Sequence, residues 1–206
     1  MREPAPRTPV EWGVATRCRR GETTSGDLGF VILSPGGVLV AGIDGLGHGT
    51  EAARAARTAG DTIRGSASPH LARLVERCHT ALTGTRGAAI SLAFISTSDG
   101  ALTWLGVGNV EGRVVSGDPS TTRLKGSLAL TSGIPGHELP RVRATALDVQ
   151  PGDLIVLASD GVESAFADSL DVSGSTRAIS ERILADHWKP SDDALVVAVR
   201  YLGGRP

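Results

Sequence analysis

Asp27 in Ser25-Gly26-Asp27, Asp44 in Asp44-Gly45-Leu46-Gly47-His48-Gly49, Asp160 in Ser159-Asp160-Gly161, and the pair Asp192-Asp193 are the residues of this chain best suited to chemistry. Each borders an apolar run with the composition of a strand. Packing explains a carboxylate at the mouth of a strand poorly. Taken singly, such residues are often turn formers or caps. Brought together, they would make an all-oxygen site for a hard cation such as Mg²⁺ or Mn²⁺.

The first two can be placed by spacing alone. Asp27 precedes Leu28–Leu33, Asp44 follows Val38–Ile43, and the turn signal Ser34-Pro35-Gly36-Gly37 lies between the runs. The two acids are symmetric about that turn. A hairpin without a bulge sets them opposite each other across its open end.

The remaining elements must hold the other acids beside that pair. Glu11–Cys18 reads as a first strand. The glycine-rich loop after Asp44 opens a helix over Thr50–Arg64, whose alanines at 52, 53, 55, 56 and 59, with Ile63, form a small-residue face suited to close approach on a sheet. A second helix is expected over Ser68–Leu82, with Ser68 as N-cap and Pro69 at the first helical position. Strands follow at Ala88–Thr97, Ala101–Val107 and Val110–Val115. The stretch Asp118–Gly126 is ambiguous, and Thr131–Leu139 reads as loop. Further strands are expected at Arg141–Asp148 and Asp153–Ala158, a last helix at Thr176–His187, and a last strand at Ala194–Tyr201. The runs 154–158 and 195–199 are apolar throughout, which implies burial on both faces. Short turns make their neighbours antiparallel. The expected class is α+β, a four-layer α/β/β/α sandwich of two mainly antiparallel sheets flanked by helices.

Composition limits the rest. A chain of 206 residues, 40% hydrophobic, suffices for one sizeable core, so a single catalytic domain over 1–206 is expected, with residues 1–8 as a flexible lead-in. A net charge of -1 gives no reason to expect nucleic acid or an anionic membrane as partner. No apolar run approaches the roughly 20 residues of a membrane helix, and no leader-like stretch stands at the N-terminus. Cys18 and Cys78 have neither metal-type spacing nor a disulfide framework, so they read as reduced thiols of a cytoplasmic protein. No heptad pattern is present, and the default expectation is a monomer.

In order and in place, these motifs resemble the metal-dependent type 2C (PPM) protein phosphatase superfamily, in its bacterial SpoIIE-like branch. The resemblance is carried by Ser-Gly-Asp before a hairpin, Asp-Gly-x-Gly-His-Gly opening a helix, Ser-Asp-Gly-Val-x-Glu after a strand, and Asp-Asp before the last strand. It runs from about Glu11 to Tyr201. The short length, Gly106-Val107-Gly108-Asn109 and Ser132-Gly133-Ile134-Pro135-Gly136 resemble the stand-alone RsbX type of stressosome signalling.

The resemblance implies two Mn²⁺ or Mg²⁺ ions. Asp44 would bridge both, the Gly45 carbonyl would bind one, and Asp160 with Asp192 or Asp193 would hold the other. Asp27 would bind directly or through water. Alignment on the family's Asp-Asp-x-Thr favours Asp192, although Leu195 stands where the family has Thr. The implied reaction is hydrolysis of phosphoserine or phosphothreonine by metal-activated water, with no side-chain nucleophile. His48 is read as general acid for the leaving alkoxide, as a donor to a metal-bound water, or as a helix-start residue that hydrogen-bonds the loop. Expected substrates are phosphorylated STAS-domain regulators. The alternatives are a SpoIIE- or RsbU-type phosphatase of an anti-anti-sigma factor, a catalytically silent binding module, and a hydrolase of small phosphate esters.

Overall fold

The computed structural model describes residues 8–34, 36–118, 124–168 and 170–204. Most of the expected lead-in (1–8), Pro35 of the hairpin turn and residues 119–123 of the ambiguous stretch lie outside the described residues.

Two sheets form the centre. The first runs in the order β1 (Val10–Arg17), β11 (Ala194–Tyr201), β10 (Leu154–Ala158), β6 (Glu111–Val115), β7 (Leu124–Ser127). The second runs β2 (Asp27–Ser34), β3 (Gly37–Gly45), β4 (Ala88–Ser96), β5 (Ala101–Val107), β8 (Leu130–Thr131), with β9 (Thr145–Asp148) also paired to β5. Apart from the parallel β5–β8 contact, all pairings are antiparallel.

Three apolar layers follow from this arrangement. Val40, Ala93, Trp104, Leu157 and Val197 fill the space between the sheets. The helices α1 (Gly49–Arg64) and α2 (Leu71–Ala81) pack on the second sheet through Ala55, Ala59, Ile63, Leu74 and Cys78. The helix α3 (Thr176–His187) covers the first sheet through Ile179, Ile183 and Leu184. This is the expected four-layer α+β sandwich. The apolar runs of β10 and β11 are buried on both faces because each gives alternate residues to the layer between the sheets and to the outer cluster that α3, Val162 and Phe166 complete.

Three sequence expectations are corrected. Helix α2 starts at Leu71, not at Ser68, and its N-cap is His70. The Ser68 hydroxyl accepts the His70 N–H at 3.2 Å, a local turn that leaves His70 outside the helix. Strand β9 covers only 145–148 of the expected 141–148. It pairs with Ala101–Trp104, while β5 residues Gly106 and Val107 are taken by β8. The expected loop at 131–139 accordingly begins with the end of a short strand.

Candidate metal centre

Strand registers bring the acidic positions to one end of the sandwich. β2 and β3 pair without a bulge from Ser34↔Gly37 to Asp27↔Asp44, so the predicted opposition across the hairpin is present. Gly45 pairs with Ala88 at the start of β4. In the other sheet β10 ends at Ala158, opposite Val196 near the start of β11, so Asp160 and Asp192 lie just beyond that ladder. Asn109 lies between β5 and β6 at the same end.

Asp27 is buried. One oxygen accepts the Ser159 hydroxyl at 2.7 Å, and the other, Oδ1, is buried with no hydrogen-bond partner. Ser159 in turn accepts the Leu195 N–H at 2.8 Å, which fixes its rotamer and ties Asp27 to the opposite sheet. Burial and repulsion from Asp193 and Asp160, eased by the Ser159 bond and by the hydrogen bond a protonated Asp44 donates, push the Asp27 carboxyl up to about 7. Burial and repulsion from Asp27, Asp160 and Asp192 push Asp44 up to about 9. The two acids face each other and titrate as a pair. Two carboxylates without a cation between them share protons instead of ionising together.

Asp160 is exposed and accepts the Asn109 amide at 2.6 Å. The same amide eases the charge on Asp44. Asn109 thus joins the acids of the two sheets, although its sequence context reads first as a turn former and only second as a polar contact near the metals. Asp192 is raised by burial and by the charge of Asp160, and Arg19 partly offsets this. Asp193 differs from its neighbour. It is buried, and its two oxygens accept the N–H groups of Arg19 and Gly26, each at 2.8 Å. Among the described residues no three His, Cys, Asp or Glu side chains converge tightly enough to enclose an ion by themselves. Hard cations do not require such a cage, since they also take backbone carbonyls and water.

Gly45 explains how closely α1 approaches. A Cβ there would lie 2.1 Å from the Ala52 carbonyl oxygen, so only glycine lets the helix sit against the end of β3. His48 is the N-cap of α1. Its Nδ1 lies 2.8 Å from Glu22 Oε1 on the exposed surface, so the ring ties this loop to the segment after β1. Glu163 begins a 3-10 turn, Ser164–Ala167, without a side-chain capping bond. Arg17, the last residue of β1, lies over the Trp188 ring at 5.2 Å.

The stage II sporulation protein E (SpoIIE) family model matches residues 34–202. The chain belongs to the SpoIIE family. This places it in the SpoIIE-like branch of the type 2C superfamily. Phosphoserine phosphatase RsbX of Bacillus subtilis (strain 168) is 30% identical over 92 residues, which are 45% of this chain and 46% of RsbX. The matched stretch thus spans about half the length of that relative. A structure solved in work on the bacterial stressosome, a modular system adapted to control secondary messenger signalling, is 30% identical, with TM-score 0.84 over 93% of this chain and 99% of the other. RsbX in complex with magnesium shares the fold, with TM-score 0.81 and 22% identity over 93% and 94% of the two chains. Among the described residues no helix is long and apolar enough to cross a membrane.

Proposed function

We propose that this SpoIIE-family chain is a Mn²⁺- or Mg²⁺-dependent serine/threonine phosphoprotein phosphatase of the RsbX type, acting on phosphorylated STAS-domain regulators of a bacterial stress-signalling module. The observation that carries the reading is the Asp27–Asp44 pair, opposed across an open hairpin end, with a buried Asp27 oxygen that finds a partner only in a protonated Asp44 or a cation. A divalent cation would satisfy that oxygen and offset the burial and the neighbouring negative charges that raise both acids. The residues present therefore fit the metals that the family implies.

In this reading Asp44, the Gly45 carbonyl, Asp27, Asp160 and Asp192 would hold the ions. Asp192 is preferred over Asp193 because both Asp193 oxygens are already engaged by backbone N–H groups. When bound, the ions supply an acidified water and neutralise charge on the phosphoryl oxygens. The chain's own residues set the geometry. Ser159 orients Asp27, Asn109 orients Asp160, and Asp193 fixes the Arg19 and Gly26 backbone around them. Arg19 is the arginine whose charge reaches Asp192, and it is a candidate for the incoming phosphate. The bond to Glu22 supports the loop-fixing role of His48.

The direct test is phosphate release from a serine-phosphorylated STAS-domain protein with Mn²⁺ and with chelator. Release that requires Mn²⁺ supports the reading. A folded protein inactive on phosphoproteins but active on small phosphate esters would replace it with a small-ester hydrolase. One inactive on both would replace it with a silent binding module.

A further inference from the structure

Asp160 and Asp192 both sit on loops, outside the last ladder pair of β10 and β11, so the sheet ladder holds neither backbone. That support is supplied by the segment that follows α3. Glu163 N–H donates to the His187 carbonyl at 2.8 Å, and Lys189 N–H donates to the Gly161 carbonyl at 2.8 Å. Val162 and Trp188 form an isolated bridge. Two side chains then complete the strap. The Lys189 ammonium donates to the Asp160 backbone carbonyl at 2.7 Å. The Trp188 indole N–H donates to the Asp192 backbone carbonyl at 3.1 Å. Consecutive residues thus hold the backbones of the two acids, one each, while Arg17 covers the indole face.

We propose that Lys189 and Trp188 are positioning residues for the Asp160–Asp192 pair, fixing its separation to that required by a divalent cation. The inference rests on the metal-dependent reading above. Among the described residues Lys189 has no carboxylate partner, so its charge is anchored on a carbonyl beside the acids and leaves their oxygens available. Charge and positioning then make opposite forecasts. Removing a nearby ammonium on electrostatic grounds alone would tighten Mn²⁺ binding. Removing a positioning bond loosens it, typically by about 10–100-fold for groups that orient metal ligands.

The experiment is calorimetric titration of the full chain with Mn²⁺ for wild type, Lys189→Met, Lys189→Arg and Trp188→Phe, with melting temperatures in chelator. Trp188→Phe keeps a ring and the charge but lacks the N–H. The expected result is about tenfold weaker Mn²⁺ binding in Lys189→Met and Trp188→Phe, with recovery in Lys189→Arg. Unchanged or tighter binding in Lys189→Met overturns the proposal. So does a loss that Lys189→Arg fails to recover and that follows the melting temperature, since that is a merely structural role. Wild type that binds no Mn²⁺ overturns the metal reading itself.

Discussion

Asp44→Asn should make the metal-free protein more stable while removing its chemistry. Asp44 rises from 3.8 to about 9 on folding, because burial and three neighbouring acids disfavour its charge. A carboxyl with a raised folded-state value contributes stability fully below its unfolded value, and that stability is lost as pH rises through the folded value. The relevant window therefore runs from about pH 4 to about 9, with Asp27 moving in the same direction to about 7. At about 1.4 kcal/mol per tenfold change in acidity, the Asp44 shift alone sets a ceiling of on the order of 5 kcal/mol at pH 7.5. Proton sharing with Asp27 lowers this, and about 2–3 kcal/mol is expected. For a domain of this size that corresponds to a melting temperature higher by about 5–10 °C. The assay is thermal unfolding in chelator from pH 5 to pH 9, wild type against Asp44→Asn. The gap should widen as pH rises. Saturating Mn²⁺ should reverse the order, because only wild type binds it well. A mutant less stable than wild type in chelator at pH 8, or a gap independent of pH, would refute the reasoning.

Ser159→Ala leaves Asp27 and the Leu195 N–H each short of a buried partner, and should cost about 1–3 kcal/mol and weaken Mn²⁺ binding, read by denaturant unfolding and titration. Gly45→Ala drives a methyl into the Ala52 carbonyl and should cost about 3 kcal/mol or prevent folding; near-wild-type stability would show that α1 can retreat. His48→Ala separates the loop-fixing role of that residue from the general-acid role. A loop-fixing role predicts similar, less than about tenfold losses on phosphoserine and on aryl phosphate, whereas a general acid predicts a loss of about 10²-fold confined to the poor alkoxide leaving group.

The hairpin and its two acids were legible because spacing about Ser34–Gly37 determines the register, and nothing in β2 or β3 interrupts it. The burial of β10 and β11 was legible from their unbroken apolar runs. What escaped depends on contacts distant in sequence. Asn109 meets Asp160 across 51 residues and Ser159 meets Asp27 across 132. Ser159 did carry a signal: a hydroxyl ending an apolar run beside an acid needs a buried partner. The difference between Asp192 and Asp193 was invisible locally, since it arises from N–H groups on a segment 167 to 174 residues away. The start of α2 was misplaced because Ser68-Pro69 satisfies both a helix cap and a tight turn, and the side-chain bond to His70 selects the turn.

The central claim is that this carboxylate cluster is a metal-dependent hydrolytic centre. It is tested most directly by aryl phosphate hydrolysis with wild type and Asp44→Asn, each with Mn²⁺ and with chelator, on samples shown to be folded. Activity is expected only for wild type with Mn²⁺, alongside an inactive mutant that melts higher in chelator. Wild-type activity that survives chelation, or a mutant as active as wild type, would contradict it.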